Sequence, residues 1–188
     1  MDAPEDGASE GTRRRGKPAE ATPVDPFAED PVVLWTADED GDGTRVVYRT
    51  GGVEVDVHKL EELSAKVGWP KRPTAKVEAA LRHSFLVATL HVERDGSDEA
   101  PELIGLARAT SDHVFNATIW DVVVDPAWQG NGLGKALVER TVNTLLRRDI
   151  ANIALFADAK AVKFYERLGF EADLDGTKGL FFYPSSYG

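Results

Sequence analysis

Three glycines spaced one residue apart could hold a negatively charged ligand. They lie in the segment Gln129-Gly-Asn-Gly-Leu-Gly134, between a β-rich run that Pro126 ends and an amphipathic stretch over residues 133–148. Glycine has no Cβ, so its backbone turns tightly and a ligand can come close to it. The first turn of a following helix exposes unpaired N–H groups and the positive end of the helix dipole. The pattern predicts a binding loop for a phosphate or pyrophosphate; the alternative is a glycine-rich connection that binds nothing.

Two common phosphate-binding motifs do not fit this loop. A P-loop needs glycine at position 129 and serine or threonine at position 136, where this chain has Gln129 and Ala136. The hydroxyl that binds magnesium is therefore missing, which excludes a P-loop nucleoside triphosphatase. A dinucleotide-binding fingerprint needs its third glycine at position 135, which is Lys135, and it opens the first strand–helix–strand unit of its fold. Here the loop follows several β segments joined by short turns.

Two residues that could move protons lie in the segment Phe156–Phe170. Asp158 and Tyr165 are seven residues apart, and the pattern predicts a helix over residues 159–168 that ends at Gly169. Seven residues are close to two helical turns, so both side chains would lie along one face. A phenol can give a proton, and a carboxylate can accept one or cap a helix. The alternative for Tyr165 is a ring that packs on the sheet.

These two stretches resemble the GNAT superfamily of N-acetyltransferases, whose Gln-x-x-Gly-x-Gly loop holds the pyrophosphate of acetyl-CoA. The Phe-Tyr-x-x-x-Gly-Phe pattern of residues 164–170 is similar to a later helix of that family, which flanks the pantetheine arm and carries a tyrosine near the thioester sulfur. Shorter stretches extend the resemblance to about residues 44–184, toward the plastid serotonin N-acetyltransferase branch; these are Val67–Pro70, Leu86–His91, Ala107–His113 and Phe115–Val122.

The resemblance implies a fold and a reaction. The fold is an α/β (α+β) GNAT fold, with a mixed, mostly antiparallel twisted sheet flanked by helices and splayed at the acetyl-CoA site. The reaction is acetyl transfer from acetyl-CoA to a primary amine, with serotonin or a related arylalkylamine of the melatonin pathway as the expected acceptor. Because the chain has no cysteine to carry the acetyl group, we expect direct transfer. Amines of proteins are alternative acceptors. An alternative to an enzyme is a non-catalytic module that binds acetyl-CoA or a partner protein.

The same resemblance implies roles for individual residues. Tyr165 is the acid that protonates the departing thiolate, while Asp158 binds CoA, caps the helix or acts as the base through water. The usual base position of the family falls near Thr118 or Trp120, which do not titrate, so the base lies elsewhere or is a chain of water molecules. Asp121 and Asp158 are the nearest candidates in the sequence. The residues expected to bind the donor are Val122, Val123, Val124, Gln129, Gly130, Asn131, Gly132, Leu133, Gly134, Lys135, Asp158, Ala161, Lys163 and Tyr165.

Three residues are candidates for binding the acceptor amine. Trp120 could stack on an aryl ring, or it could pack in the core. Asp121 could attract the ammonium group, or it could pair with an arginine such as Arg108. Asn152 could orient the substrate or a water molecule, or it could belong to a turn.

The β segment before the glycine loop is expected to form one wall of the site. The carbonyl oxygen of the thioester would accept a hydrogen bond from a backbone N–H near Val123 or Val124, where the strand splays. Regular strand alternation predicts two faces, with Trp120, Val122 and Val124 on one and Asp121 and Val123 on the other.

Periodicity predicts the elements that position these residues. We expect strands at 32–36, 44–49, 85–94, 103–111, 117–125, 152–157, 171–174 and 180–183, and helices at 58–67, 74–83, 133–148 and 159–168. Residues 1–31 are rich in Pro, Gly, Ala and acidic residues, which predicts a disordered acidic tail. Residues 32–188 are expected to form one acetyltransferase domain.

Composition excludes several function classes. Of the net charge of −10, residues 1–42 carry most, with 12 acidic and 4 basic residues, and the remainder is nearly neutral. We therefore expect no nucleic-acid partner and no binding to anionic membranes. We also expect no membrane span, because no apolar run is long enough, and no metal, because the four histidines lack metal-ligand spacing. The oligomeric state is left open, with a dimer possible.

The expected location rests on the resemblance alone and is the chloroplast. The acidic start of the chain is a poor transit peptide, so a cytoplasmic location is expected if the sequence is full length.

Overall fold

The computed structural model describes residues 31–37, 43–51 and 55–180. Within these ranges one sheet contains six strands in the order of the sequence. The first five are joined antiparallel, and the last pair is parallel. The strands are β1 (Val32–Thr36), β2 (Thr44–Thr50), β3 (Leu86–Arg94), β4 (Glu102–Ser111), β5 (Asn116–Val124) and β6 (Asn152–Leu155).

Helices cover both faces of this sheet. Adjacent residues of β4 belong to different core clusters: Ile104 packs with Leu137 of the long helix α3, and Leu103 packs with Leu60 of helix α1. Side chains of a strand alternate between faces, so α3 and α1 lie on opposite sides. The helices are α1 (Val57–Lys66), α2 (Thr74–Arg82), α3 (Leu133–Arg147) and the short α4 (Val162–Glu166), with 3-10 turns at Pro126–Trp128 and Leu174–Gly176. The expected mixed, mostly antiparallel architecture is confirmed.

The sheet opens where β5 and β6 part. Their parallel pairing runs only from Asn116 opposite Asn152 to Ile119 opposite Leu155. β5 then continues to Val124, and no strand of the described ranges pairs with it on that side. Since α3 connects β5 to β6, its beginning lies next to this opening.

A bulge interrupts β5 at the opening. Asp121 and Val122 both lie opposite the single residue Ala107 of β4, and Asp121 has a left-handed φ of 53°. The extra residue shifts the alternation, so Val122 packs toward α3 and Val123 packs toward α1. The prediction that Trp120 shares a face with Val122 is therefore wrong, and Trp120 lies on the face of Val123.

Other sequence predictions need correction near the end of the chain. The helix expected at 159–168 is shorter, because residues before α4 form a turn in which the Ala161 N–H donates to the Asp158 carbonyl at 2.7 Å. The strand expected at 171–174 is absent; Asp173 and Asp175 have left-handed φ values of 53° and 52°, which a strand does not accommodate.

Some predicted features lie outside the described residues. They are the tail expected at 1–31, except residue 31, and the strand expected at 180–183, except residue 180. Among the helices of the described ranges, none has the length and apolar character needed to cross a bilayer.

Candidate active site

A cleft of about 540 Å³ lies between the diverging strands. One wall is the bulged part of β5, and the other is the segment from Leu155 to Tyr165. The linker between α1 and α2 closes a third side with Trp69 and Arg72. The cleft brings together nine residues of the predicted site: Trp120, Asp121, Val122, Val123, Val124, Gln129, Asp158, Ala161 and Tyr165.

The glycine loop begins at the edge of this cleft. The Gln129 side chain donates from Nε2 to the Val124 carbonyl at 2.9 Å, which fixes the start of the loop to the end of β5. Gly130 and Gly132 have φ values of 86° and 76°, and a Cβ at either position would meet nothing within 4 Å. Their backbone conformation requires glycine, and the space beside them is open.

Gly134 plays a different part from its two neighbours. It lies inside α3, and a Cβ there would be 3.8 Å from the Phe164 ring, an ordinary packing distance. The expectation that all three glycines shape the turn is therefore wrong for Gly134, which belongs to the regular helix.

The N-terminus of α3 is free to bind an anion. Its N-cap, Gly132, has no side chain, and the first backbone bond of the helix runs from the Ala136 N–H to the Gly132 carbonyl. The N–H groups of residues 133–135 consequently have no acceptor within the helix. Leu133 is buried and anchors the helix end, while Lys135 is exposed. This arrangement fits the diphosphate of acetyl-CoA.

Tyr165 projects from α4 into the cleft. Its ring makes edge-on contacts with Phe164 and Phe170, at centroid distances of 5.0 and 5.9 Å. Burial raises the pKa of the phenol above its ordinary value of 10.0, and the charge of Asp158 raises it further. The phenol is therefore protonated at neutral pH and can act as a hydrogen donor.

Asp158 faces the same cleft from outside α4. It is exposed, and no ion pair or hydrogen bond to a described residue engages its carboxylate. The cap of α4 is Ala161, with no side-chain hydrogen bond, so the structure removes the capping role that the sequence left open. The predicted alignment of Asp158 and Tyr165 on one helix face is also wrong, because Asp158 precedes the helix by four residues.

Asp121 is held by two arginines. The Arg72 Nη1 donates to Oδ1 at 3.0 Å, and the Arg108 Nε donates to Oδ2 at 2.5 Å. Of the two readings of this residue, the structure therefore supports the ion pair, and Arg72 adds a second partner. Both oxygens of this carboxylate are therefore occupied by hydrogen bonds from arginine side chains.

Trp120 presents an aromatic surface at the cleft. Its indole Nε1 donates to the Thr110 hydroxyl at 2.8 Å, and its ring lies 5.5 Å from that of Phe156, tilted by 37°. Both rings are partly solvent-exposed, at 36% and 55%. Phe156 and the linker residues Trp69 and Arg72 were not predicted for the site, although Trp69 lies in the stretch Val67–Pro70 that resembles the family.

Apart from residues 130–135 of the glycine loop and the start of α3, two predicted site residues do not line the cleft. The Asn152 side chain donates to the Asn116 carbonyl oxygen Oδ1 at 2.6 Å, at the closed end of the β5–β6 pair. Lys163 is exposed on α4 and does not line the cleft. Over the ranges given above, no group of three or more His, Cys, Asp or Glu side chains could hold a metal ion.

Comparison with known proteins identifies relatives. The model of the acetyltransferase (GNAT) family matches residues 55–170. The histone acetyltransferase TAP1 of Glycine max is 54% identical over 166 residues, which cover 86% of this chain and 71% of the relative. The chloroplastic GCN5-related N-acetyltransferase 2 of Arabidopsis thaliana is 55% identical over 159 residues, covering 78% of this chain and 61% of that protein.

Two further similarities concern the acceptor and the fold. The chloroplastic serotonin N-acetyltransferase 2 of Oryza sativa subsp. japonica is 43% identical over 137 residues, covering 73% of this chain and 67% of the relative. A GNAT family acetyltransferase structure from Streptococcus pneumoniae TIGR4 matches with a TM-score of 0.60 and 22% identity, over 75% of this chain and 99% of that one. The chain thus spans 61–71% of the length of these three sequence relatives. Two of them are named chloroplastic, which supports the expected plastid location.

Proposed function

This chain belongs to the GNAT acetyltransferase family, and we propose that it transfers the acetyl group of acetyl-CoA directly to a small arylalkylamine such as serotonin. The proposal rests on the set of chemical groups that border and line a single cleft. A helix N-terminus without a side-chain cap borders it. A protonated phenol, a carboxylate with no ion-pair partner among the described residues and an exposed aromatic pair line it.

The residues that would hold acetyl-CoA lie along one side of the cleft. The N–H groups at the start of α3 and the open backbone at Gly130 and Gly132 suit the diphosphate. The unpaired backbone of β5 near Val123 suits the thioester arm, because strand pairing with β6 has already ended there. A backbone N–H at this position would stabilise the carbonyl oxygen as it gains negative charge.

Asp158 and Tyr165 have different roles in the proton transfers of the proposed reaction. An alkylamine with a pKa near 10, as for lysine, is mostly protonated at neutral pH and must lose a proton before it can attack. Asp158 is the acceptor for that proton, directly or through water, since Asp121 is already paired with two arginines. As the new N–C bond forms and the C–S bond breaks, Tyr165 gives its proton to the sulfur, and the nitrogen releases its second proton to solvent. Solvent then restores both side chains, with a net release of one proton.

The aromatic pair favours an aryl-bearing acceptor. An indole ring can stack on Trp120 and Phe156 while its alkylammonium group is attracted by Asp158, two residues beyond Phe156. The rice relative is named for serotonin, which is consistent with this acceptor.

Protein amines are the second candidate acceptors. The soybean relative is named a histone acetyltransferase, and a lysine side chain presents the same alkylammonium group without the ring. The two candidates differ in their need for Trp120, which only the aryl acceptor would use.

The test is an assay of the purified chain with acetyl-CoA and either serotonin or a histone-tail peptide. Thiol release measures turnover, and mass spectrometry identifies the acetylated product. The proposal expects N-acetylserotonin with a higher kcat/KM than the peptide. Acetylation of the peptide alone would support the second candidate. If no thiol is released with serotonin or with the peptide, both candidates are overturned.

A further inference from the structure

Two arginines from separate parts of the chain converge on Asp121. Arg108 belongs to β4, the strand paired with β5, and its side chain is 15% exposed. Arg72 belongs to the linker between α1 and α2, 49 residues away from Asp121 in the sequence. Each donates to a different carboxylate oxygen. We call this three-residue arrangement the arginine clamp.

The clamp acts on a backbone position that is unfavourable for most residues. Asp121 has a φ of 53°, a left-handed conformation that L residues other than aspartate and asparagine rarely adopt. It is also the first of the two residues of the bulge, directly before the wall formed by residues 122–124. The contacts that hold the Asp121 side chain therefore also set the orientation of the backbone N–H and C=O groups of residues 122–124.

We propose that Arg72 and Arg108 are positioning residues that hold Asp121 and its bulge so that the backbone of residues 122–124 meets the thioester carbonyl. This inference rests on the proposed acetyltransferase function. It assigns Asp121 a structural task at the site in place of proton transfer.

The two arginines have different additional contacts, which separates their effects. The Arg72 guanidinium lies 5.9 Å from the centroid of the Trp69 ring, so it also connects the linker wall of the cleft to β5. Arg108 instead contacts the Ser84 hydroxyl at 3.4 Å and lies 6.0 Å from the centroid of the Trp120 ring. Loss of Arg72 should disturb the linker wall as well as the bulge, whereas loss of Arg108 should leave that wall in place.

The experiment measures steady-state kinetics and acetyl-CoA binding for three variants. For Arg108→Ala we expect kcat to fall about tenfold, with the calorimetric Kd for acetyl-CoA changed less than about twofold, because a small misplacement of reacting groups slows chemistry more than binding. Arg72→Ala should show the same fall in kcat and, in addition, a rise of about fivefold in the KM of the amine. Arg108→Lys, which keeps the charge, should recover part of the loss.

Asp121→Asn separates positioning from proton transfer. Asparagine tolerates the left-handed conformation and can still accept from an arginine, so we expect kcat within about fivefold of the wild type and an unchanged acidic limb of the pH profile. Lys71→Ala is the matched control, because Lys71 adjoins Arg72 but is 82% exposed and pairs with Glu61. Loss of the acidic limb in Asp121→Asn, or a full kcat in both arginine variants, would overturn the proposal.

An NMR measurement keeps this result separate from the proposed function. The three-bond coupling between the amide and α protons of Asp121 reports its φ without any turnover. We expect the coupling to change in Arg108→Ala and Arg72→Ala and to be unchanged in Lys71→Ala. A wild-type chain that acetylates no amine would contradict the proposed function, whereas an unchanged coupling in both arginine variants would contradict the clamp.

Discussion

The ammonium group of Lys66, the last residue of α1, lies 2.6 Å from the buried carboxylate of Asp125, the residue that follows β5. The other oxygen of Asp125 accepts from the Ala127 N–H at 2.9 Å. Burial by itself raises the pKa of Asp125, but the hydrogen bonds from Lys66 and Ala127 outweigh it and bring the pKa below its ordinary value. The pair ties the end of α1, and therefore the linker wall of the cleft, to the strand that leads into the glycine loop.

The first prediction concerns this ion pair and the stability of the fold. Asp125→Asn should lower the free energy of unfolding at pH 7 by about 2 kcal/mol, since it weakens hydrogen bonds to a buried charged group. Because the folded pKa of Asp125 is depressed, its contribution is fully present above the unfolded value of 3.8 and is lost as pH falls through the folded pKa. Urea unfolding at several pH values would show the variant and the wild type converging below about pH 4.

The control for this measurement is an exposed ion pair near the same helix. Lys71→Ala breaks the pair with Glu61 and should leave the free energy of unfolding nearly unchanged, because solvent screens an exposed ion pair. A difference between Asp125→Asn and wild type that stays constant down to about pH 2 would contradict the assignment.

The second prediction concerns the glycine loop. Gly132→Ala forces a side chain into a left-handed position at the N-cap of α3, so it should displace the first turn and weaken acetyl-CoA binding at least about tenfold. Gly96→Ala is the matched control, because Gly96 has a φ of 74° with open space around it and lies in the turn between β3 and β4, outside the cleft lining. Calorimetry should show the loss of affinity for the first variant only; equal affinities in the two variants would exclude α3 as the diphosphate site.

The third prediction concerns the acceptor. Trp120→Ala removes the stacking surface and should raise the KM for serotonin about tenfold, while leaving the KM for a lysine peptide nearly unchanged. Phe115→Ala is a suitable control, because Phe115 is 71% exposed before β5, away from the cleft. If Trp120→Ala raised both KM values equally, the aryl specificity of this surface would be refuted.

The fourth prediction concerns the electrostatic coupling of Asp158 and Tyr165, the two groups proposed to transfer protons. Asp158→Asn removes a negative charge that raises the pKa of Tyr165, so the phenol should ionise at a lower pH than in the wild type. NMR titration of ring-labelled tyrosine measures this directly. Glu166→Gln, a neighbour of Tyr165 on α4, should leave the titration in place, and an unmoved Tyr165 in Asp158→Asn would show that the two groups are uncoupled.

Local patterns predicted the parts of the site that depend on nearby residues. The start of α3 after the glycine loop depends on the backbone of a few neighbouring residues. The helix predicted over residues 133–148 corresponds to α3, Leu133–Arg147. Tyr165 and Asp158 were found as candidates because the motif around them is short and continuous in the sequence.

Features that depend on distant partners could not be predicted. The bulge at Asp121 appears only in the register of β4 against β5, and the two arginines that hold its carboxylate are distant in the sequence. Asn152 looked available for substrate until the register of two parallel strands placed it opposite Asn116. Both outcomes depend on tertiary contacts that the order of residues along the chain does not display.

The most direct test of the account is the turnover of Tyr165→Phe compared with its affinity for acetyl-CoA. The variant keeps the ring that packs against Phe164 and Phe170 but lacks the proton for the departing sulfur. We predict that kcat falls about 100-fold or more while the calorimetric Kd for acetyl-CoA changes less than about twofold. A variant that turns over at the wild-type rate would contradict the central claim.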